Sequence, residues 1–177
     1  MEYSINTADL KNYISKLNFG DRVLLSGTVY TARDAAHKKI VEIIKNNEDL
    51  PFTIDGAVIY YAGPTPTPKN LKIGSCGPTT SSRMDKFSPQ LLDLGLAAMI
   101  GKGPRSNDVC KAIERNHAVY FCAIGGAGAL ASKAIVDAQV IAFEELGCES
   151  IKKLTLKDFP VIVAIDSKGG NLFKIGE

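Results

Sequence analysis

The stretch GSCGPTTSSRMD, residues 74–85, holds four consecutive hydroxyl side chains, an arginine and two glycines, and it predicts a turn that leads into a helix. Glycines free the backbone to turn. Hydroxyls and backbone amides at a helix start, with a cation in the first turn, are typical of an anion-binding site. A polar turn with a helix cap explains this stretch equally well, so the other loops of the chain must decide between the two.

The composition is that of a globular protein, with 177 residues, 45% hydrophobic and 23% charged side chains. This length favours one domain with a full core. The net charge is +2 and the charges are interspersed, which argues against a protein that binds nucleic acid or a membrane surface. No apolar run reaches the roughly 20 residues of a membrane span, and the first residues lack the pattern of a signal peptide. We therefore expect a cytoplasmic protein.

The four cysteines are too widely spaced to indicate a metal centre. Cys76, Cys110, Cys122 and Cys148 form no C-x-x-C pair, and the chain has two histidines. Zinc and iron–sulfur sites usually show close ligand pairs. We expect free thiols and no metal ligated by this chain alone; Cys76 is the cysteine that lies in the candidate site loop.

Strands alternate with helices along the chain, which predicts an α/β domain over residues 1–177. Connections of unequal length favour some antiparallel pairing. A capping box of Thr31 and Asp34 is expected to open the helix that follows a strand at residues 22–30. The other predicted elements are an amphipathic helix at 7–17, a β-rich run at 57–62, a helix through Leu91, a strand at 97–100, a helix from Ser106 to about His117, a buried strand at 118–124, a short helix, a strand at 139–143 and a last strand at 161–165.

Three cations, Arg33, Arg83 and Lys102, lie at or just before predicted helix starts. A cation there is opposed by the helix macrodipole unless an anion is bound as well. Loops at the carboxyl ends of strands converge in open α/β sheets, and an arginine can clamp a carboxylate through two parallel hydrogen bonds. The set predicts a site for a small di-anion; solvated surface cations are the alternative.

A glycine motif, Gly126-x-Gly128-x-x-Ala131, matches the dinucleotide fingerprint, and Glu144 has about the spacing of a ribose ligand. About ten residues between the last glycine and the next strand are few for a helix of that fold. The motif also comes late in the chain, so nicotinamide binding is the weaker interpretation.

Five phrases of the sequence resemble one family: SGTVYTARDAAHKK (26–39), GPTTSSRMD (77–85), MIGKG (99–103), the glycine loop at 125–128 and FPVIVAIDSKGGNL (159–172). They are similar to the β subunit, or equivalent C-terminal domain, of the iron–sulfur hydro-lyases class I fumarase and L-tartrate dehydratase. The resemblance covers nearly the whole chain. It implies a single swivelling β/β/α domain with a mixed central sheet flanked by helices, and a C4 dicarboxylate substrate. It also implies an α subunit, expected in an α2β2 assembly, whose cysteines rather than those of this chain carry a [4Fe–4S] cluster.

The same resemblance implies roles for four residues. Arg33, Arg83 and Lys102 would bind the substrate carboxylates, with Arg33 also counted as catalytic, and Thr79 would contact substrate and exchange a proton next to a carboxylate. A base opposite the cluster suits trans elimination, and cations stabilise the charge that develops. A threonine hydroxyl is a poor base and needs activation.

Several alternatives stay open at this stage. Thr79, Thr80 or Ser81 could each be the helix cap or the base, and Asp34 is expected to cap its own helix. Asp85 and His37 are either supporting groups or a first-turn acid and a solvated or capped histidine. For the whole chain, a non-catalytic dicarboxylate- or dinucleotide-binding module remains the alternative to a hydro-lyase subunit.

Overall fold

The computed structural model describes residues 1–70, 72–123 and 128–174. The strands are β1 (Glu2–Asn6), β2 (Arg22–Thr31), β3 (Val58–Tyr60), β4 (Ala98–Gly101), β5 (Val119–Ala123), β6 (Ile135–Ala142) and β7 (Ile151–Ile165). The α-helices are α1 (Asp34–Lys45), α2 (Ser88–Asp93), α3 (Asn107–Arg115) and α4 (Gly128–Lys133), and short 3-10 helices cover Thr7–Asn12, Ile14–Lys16, Ser81–Met84, Glu144–Glu149 and Leu172–Lys174.

The long strand β7 closes five strands into a barrel. Strands β1 to β5 pair in parallel in chain order. β7 pairs antiparallel with β2 along one edge and with β5 and β6 along the other. The ring β2–β3–β4–β5–β7 is therefore complete, and β1 and β6 extend the sheet outside it.

Two hydrophobic clusters form the core. One fills the barrel and includes Leu25, Tyr60, Phe121 and Phe159, all at most 1% exposed. The other lies between the parallel strands and the helices α1, α2 and α3. Alternate residues of each buried strand point into the two clusters, as the pleat of a strand requires. The mixed α/β class, with helices flanking a central sheet, is confirmed.

The predicted start of α1 is wrong in its detail. The helix begins at Asp34 with Arg33 as the capping residue, and the Arg33 side chain itself makes no cap bond. The Thr31 hydroxyl instead donates to the Ser150 carbonyl (3.2 Å) and accepts from the Lys152 amide (3.0 Å). Thr31 is the last residue of β2, so its buried side chain serves the junction with β7 rather than the helix.

Other predicted elements have the right position but different bounds. Residues 7–17 form two short 3-10 helices rather than one amphipathic helix, and the helix through Leu91 is preceded by a separate 3-10 turn at Ser81–Met84. The strand predicted at 161–165 is only the end of β7. The earlier part of β7 could not be predicted from the sequence, because lysine and proline are uncommon in strands and this part contains Lys152, Lys153, Lys157 and Pro160.

Arg105, in the loop after β4, binds the end of the 74–85 stretch and the helix that follows it. Its buried guanidinium donates to Asp85 Oδ1 (2.7 Å) and Ser88 Oγ (2.7 Å) and lies between the rings of Tyr61 and Tyr120. Asp85 Oδ2 accepts the Ser106 amide (2.7 Å). Burial alone would lower the pKa of Arg105, but Tyr61 and Asp85 together raise it above its ordinary value. Asp85 is thus the partner of a buried cation.

No helix within residues 1–70, 72–123 and 128–174 is long and apolar enough to cross a membrane.

We predict that Asp85→Ala destabilises the fold by about 3 kcal/mol, because it leaves the Arg105 charge buried and unpaired. Urea unfolding followed by circular dichroism measures this. Asp93→Ala is the matched control: it removes the partner of Arg115, whose side chain is 50% exposed, and is expected to cost at most about 1 kcal/mol. Equal losses in the two variants would contradict the assigned role of Asp85.

Candidate active site

The parallel strands β2, β3 and β4 end on one edge of the barrel. We call this edge the carboxyl rim and define it by the residues that follow the three strands, 32–33, 61–63 and 102–103. Arg33 follows β2 and Lys102 follows β4. The convergence of loops expected from the sequence therefore holds for these two cations.

The 74–85 stretch crosses the carboxyl rim between β3 and β4. The Thr79 amide donates to the Tyr61 carbonyl (2.7 Å), and Pro78 forms a bridge with Ala62. One residue further on, Thr80 forms a parallel bridge with Lys102. Thr79 is half-buried and Thr80 is exposed. Backbone pairing thus places Thr79 at the ends of both strands and close to Lys102.

Ser81 fixes the 74–85 stretch to the end of β4 through hydrogen bonds to the backbone of Lys102. Its amide donates to the Lys102 carbonyl (3.0 Å), and its hydroxyl accepts the Lys102 amide (3.0 Å). The buried Tyr120 hydroxyl lies 2.8 Å from Ser81 Oγ. A Cβ at Gly101 would collide with that oxygen, so glycine is needed there. Because Ser81 is fully buried and engaged, it is a structural hydroxyl.

The Arg33 guanidinium is held loosely. Its Nη2 lies 3.4 Å from Glu149 Oε1, and its side chain is 21% exposed. Gly63 lies against it, since a Cβ there would be 2.7 Å from Nη1. Among the buried side-chain nitrogens and oxygens of the described residues, Arg33 Nε and Asp34 Oδ2 lack a hydrogen-bond partner. An unpaired buried donor on a cation calls for an explanation, and a bound anion is one.

Arg83 is linked to the start of α1 by its contact with Asp34, the residue after Arg33. Arg83 Nε donates to Asp34 Oδ1 (3.1 Å), and Nη2 lies 2.9 Å from Oδ2 in an ion-pair contact without hydrogen-bond geometry. The expected capping by Asp34 is therefore wrong, because its carboxylate turns toward Arg83. The amide of Ala35 is instead capped by Glu149 Oε2 (3.2 Å), from a residue 114 positions away.

His37 lies beneath Arg33 and is buried, not solvated. Its Nδ1 donates to the Arg33 carbonyl (2.8 Å), and its ring stacks on Phe87 and meets the edge of Tyr61. Burial lowers the pKa of His37 to about 4, so the ring is neutral at physiological pH. His37 supports the backbone at the start of α1.

The thiols do not form a metal centre in the described residues. Cys76 is buried, its carbonyl accepts the Tyr60 hydroxyl (2.7 Å), and burial raises the pKa of its thiol to about 12. No group of three or more histidine, cysteine, aspartate or glutamate side chains in the described chain could hold a metal ion. This donor set does not fit an iron–sulfur cluster.

The glycine loop is the part of the predicted site that lies outside the described residues, since these omit residues 124–127. Gly128 begins α4, and its carbonyl accepts the Cys76 amide (3.2 Å), so the chain after β5 returns to the 74–85 stretch. Glu144 begins the 3-10 helix that ends at Glu149.

All four predicted site residues lie at or beside the carboxyl rim. The backbone of Thr79 is bonded to Tyr61, the next residue, Thr80, pairs with Lys102, and Arg83 contacts Asp34, the residue after Arg33. Sequence reasoning missed Glu149, because its contacts with Arg33 and Ala35 span more than a hundred residues. The sequence of residues 144–149 indicates only a polar segment, through its acidic residues Glu144, Glu145 and Glu149.

Comparison with known proteins identifies the class. The sequence model of the family described as Fumarase C-terminus matches residues 1–176, and the chain belongs to this family. It is 39% identical, over 98% of its length and 92% of the relative's, to a Methanocaldococcus jannaschii protein provisionally named L(+)-tartrate dehydratase subunit beta. It is 39% identical to the aerobic class I fumarate hydratase of Escherichia coli K12, over 91% of this chain. It is 38% identical to fumarate hydratase 2 of Leishmania major, over 93% of this chain.

The two fumarate hydratases are much longer than this chain, which spans 30% and 29% of their lengths. The resemblance stated from the sequence motifs is confirmed at the level of the family.

We predict that stability falls as the pH is lowered from 6.5 to 4. In this window the unfolded state binds a proton on His37 and the folded state does not, because the folded pKa is about 4 against an ordinary 6.5. This lowering of the His37 pKa corresponds to a loss of about 3 kcal/mol from the free energy of unfolding over the pH range. Urea midpoints measured across this range test it.

His37→Gln is expected to lose stability at neutral pH and to show a shallower pH dependence. His117→Asn is the matched control, since His117 is exposed with a φ of 49° that asparagine tolerates, and it should retain the wild-type dependence. An unchanged pH slope in His37→Gln would show that other groups cause the effect.

Proposed function

We propose that this chain is the β subunit of a two-subunit iron–sulfur hydro-lyase that acts on a C4 dicarboxylate. The candidate reactions are the reversible hydration of fumarate to (S)-malate and the dehydration of L-tartrate to oxaloacetate. The observation that carries the proposal is the convergence of Arg33, Arg83, Lys102 and Thr79 at the carboxyl rim. The names of the relatives support it: one is provisionally named L(+)-tartrate dehydratase subunit beta, and two are fumarate hydratases, of which the Escherichia coli protein is class I.

The three cations suit a substrate with two carboxylates. Arg33 has a buried Nε without a partner and a long contact to Glu149, so a carboxylate would complete its hydrogen bonding. Arg83 and Lys102 are exposed on the same rim. The two arginines would each bind a carboxylate through two N–H groups, and Lys102 would add a compact positive charge. Together the three cations would neutralise a di-anion and stabilise the charge that develops on its carboxylate as a proton leaves.

Thr79 is the proposed proton-transfer group. Of the three neighbouring hydroxyls, Ser81 is buried and engaged with Lys102 and Tyr120, whereas Thr80 points to solvent. Thr79 is half-buried, and its amide is fixed to the end of β3. Its hydroxyl needs a lowered pKa or a neighbouring base to act, so the nearby cations or a partner residue must activate it.

The [4Fe–4S] cluster belongs to the α subunit in this proposal, because the described donors of this chain do not fit a cluster. When bound there, it would supply the Lewis acid for the departing hydroxyl. An α subunit, in an α2β2 assembly, is part of the same proposal; the name of the Methanocaldococcus relative, which contains the words subunit beta, supports the α partner. We propose residues 1–177 as one domain of that enzyme.

We predict that the chain, co-expressed anaerobically with its α subunit, consumes fumarate or L-tartrate, and that Thr79→Ala lowers kcat by about 100-fold or more. Loss of fumarate absorbance and formation of oxaloacetate are the measurements. Thr80→Ala is the matched control and is expected to stay close to wild type. Full activity in Thr79→Ala would remove the proton-transfer role, whereas binding of a dicarboxylate without turnover would favour a non-catalytic module.

For Arg33→Lys we predict a KM raised about tenfold or more, because lysine cannot form the two-bonded clamp. Arg115→Lys changes an exposed arginine at the opposite end of the strands and should leave KM unchanged. An unaltered KM and kcat in Arg33→Lys would exclude Arg33 from substrate binding.

A further inference from the structure

Two consecutive residues, Arg33 and Asp34, each carry a buried side-chain atom without a hydrogen-bond partner in the described chain: Arg33 Nε, and Asp34 Oδ2, which makes only an ion-pair contact with Arg83. The first belongs to the proposed carboxylate site. The second belongs to an acid that the proposed reaction does not use. A carboxylate beside a site for carboxylates is unfavourable by itself, since like charges at close range repel. Its presence therefore needs a separate reason.

Asp34 engages one particular edge of Arg83. A guanidinium has two edges that can each bind a carboxylate, one formed by Nε with one Nη and one formed by the two Nη groups. Asp34 lies against the first, with Oδ1 at 3.1 Å from Nε and Oδ2 at 2.9 Å from Nη2. Nη1 and the outer N–H of Nη2 are then left for another acceptor.

Asp34 is itself well fixed. It is the first residue of the twelve-residue helix α1, where the macrodipole favours a carboxylate. Its side chain is 27% exposed, against 50% for Arg83. A short, partly buried acid on a helix thus restrains a long, exposed arginine that stands on a 3-10 turn.

We propose that Asp34 is a positioning residue: it holds Arg83 by its Nε edge so that the terminal edge faces the dicarboxylate. The inference rests on the proposed function, since Arg83 must bind substrate for its orientation to matter. By restraining the side chain before substrate arrives, Asp34 removes part of the ordering cost of binding. The repulsion between Asp34 and the substrate is offset because Arg83 lies between the two carboxylates.

A double-mutant cycle in the αβ enzyme tests this inference. Asp34→Ala is expected to raise KM about tenfold in the wild-type background and less than about twofold in the Arg83→Ala background, since contacting residues are non-additive. Asp34→Asn keeps an oxygen that can accept from Nε and is expected to restore part of the loss. The same KM increase in both backgrounds, or no increase at all, would overturn the proposal.

Asp93→Ala is the matched control. Asp93 binds the corresponding atoms of Arg115, here through two hydrogen bonds, from Nε to Oδ1 (2.9 Å) and from Nη2 to Oδ2 (2.7 Å), but at the opposite end of the strands. We expect it to leave KM unchanged. A KM increase in this variant equal to that of Asp34→Ala would show that loss of any such surface pair is enough, and would also overturn the proposal.

A spectroscopic measurement separates this proposal from the proposed function. In the complex labelled with ¹⁵N-arginine, the Arg83 Nε–H resonance, identified by its loss in Arg83→Ala, should be protected from solvent exchange in wild type and exposed in Asp34→Ala. If wild type shows no hydro-lyase activity, the proposed function fails, and this resonance alone decides whether Asp34 holds Arg83. An unprotected wild-type resonance contradicts the inference.

Discussion

The antiparallel pairing of β7 with both β2 and β5 is the constraint on which the rest of the structure depends. It closes the parallel strands into a barrel, so their carboxyl ends lie on one rim instead of spreading along an open sheet. The loops that carry the cations must then converge. Fifteen residues of β7 are needed, because the strand has to follow β2 on one side and both β5 and β6 on the other.

Backbone pairing, more than side-chain contact, builds the candidate site. The 74–85 stretch pairs with the ends of β3 and β4, and Ser81, Tyr120 and Gly101 leave it little freedom to shift. Arg105 and Asp85 hold the following turn from the helix side. The exposed side chains of the stretch are the hydroxyls of Ser75, Thr80 and Ser82 and the cation Arg83, with the exposed Lys102 beside them.

The sequence was a good guide where the signal was local. Arg33, Arg83 and Lys102 could be named because cations lie at predicted helix starts, and the buried strand through Tyr120 could be placed from its apolar run, whereas Thr79 was distinguished from its neighbouring hydroxyls only by the family resemblance. The roles of those four residues remain predictions. Partners distant in sequence could not be found: Glu149 caps α1, Asp34 faces Arg83, and Arg105 is buried between two tyrosines. No periodicity or spacing reports a contact that only tertiary packing creates.

The central claim is that this chain supplies the carboxylate-binding half of a hydro-lyase active site, and a crystal structure of the αβ complex with a bound dicarboxylate tests it most directly. The account predicts one carboxylate within hydrogen-bond distance of Arg33 and cationic contacts from Arg83 and Lys102. It also predicts that the Thr79 hydroxyl faces the carbon next to a carboxylate. A dicarboxylate bound at the α–β interface without contact to Arg33 and Arg83 would contradict the account.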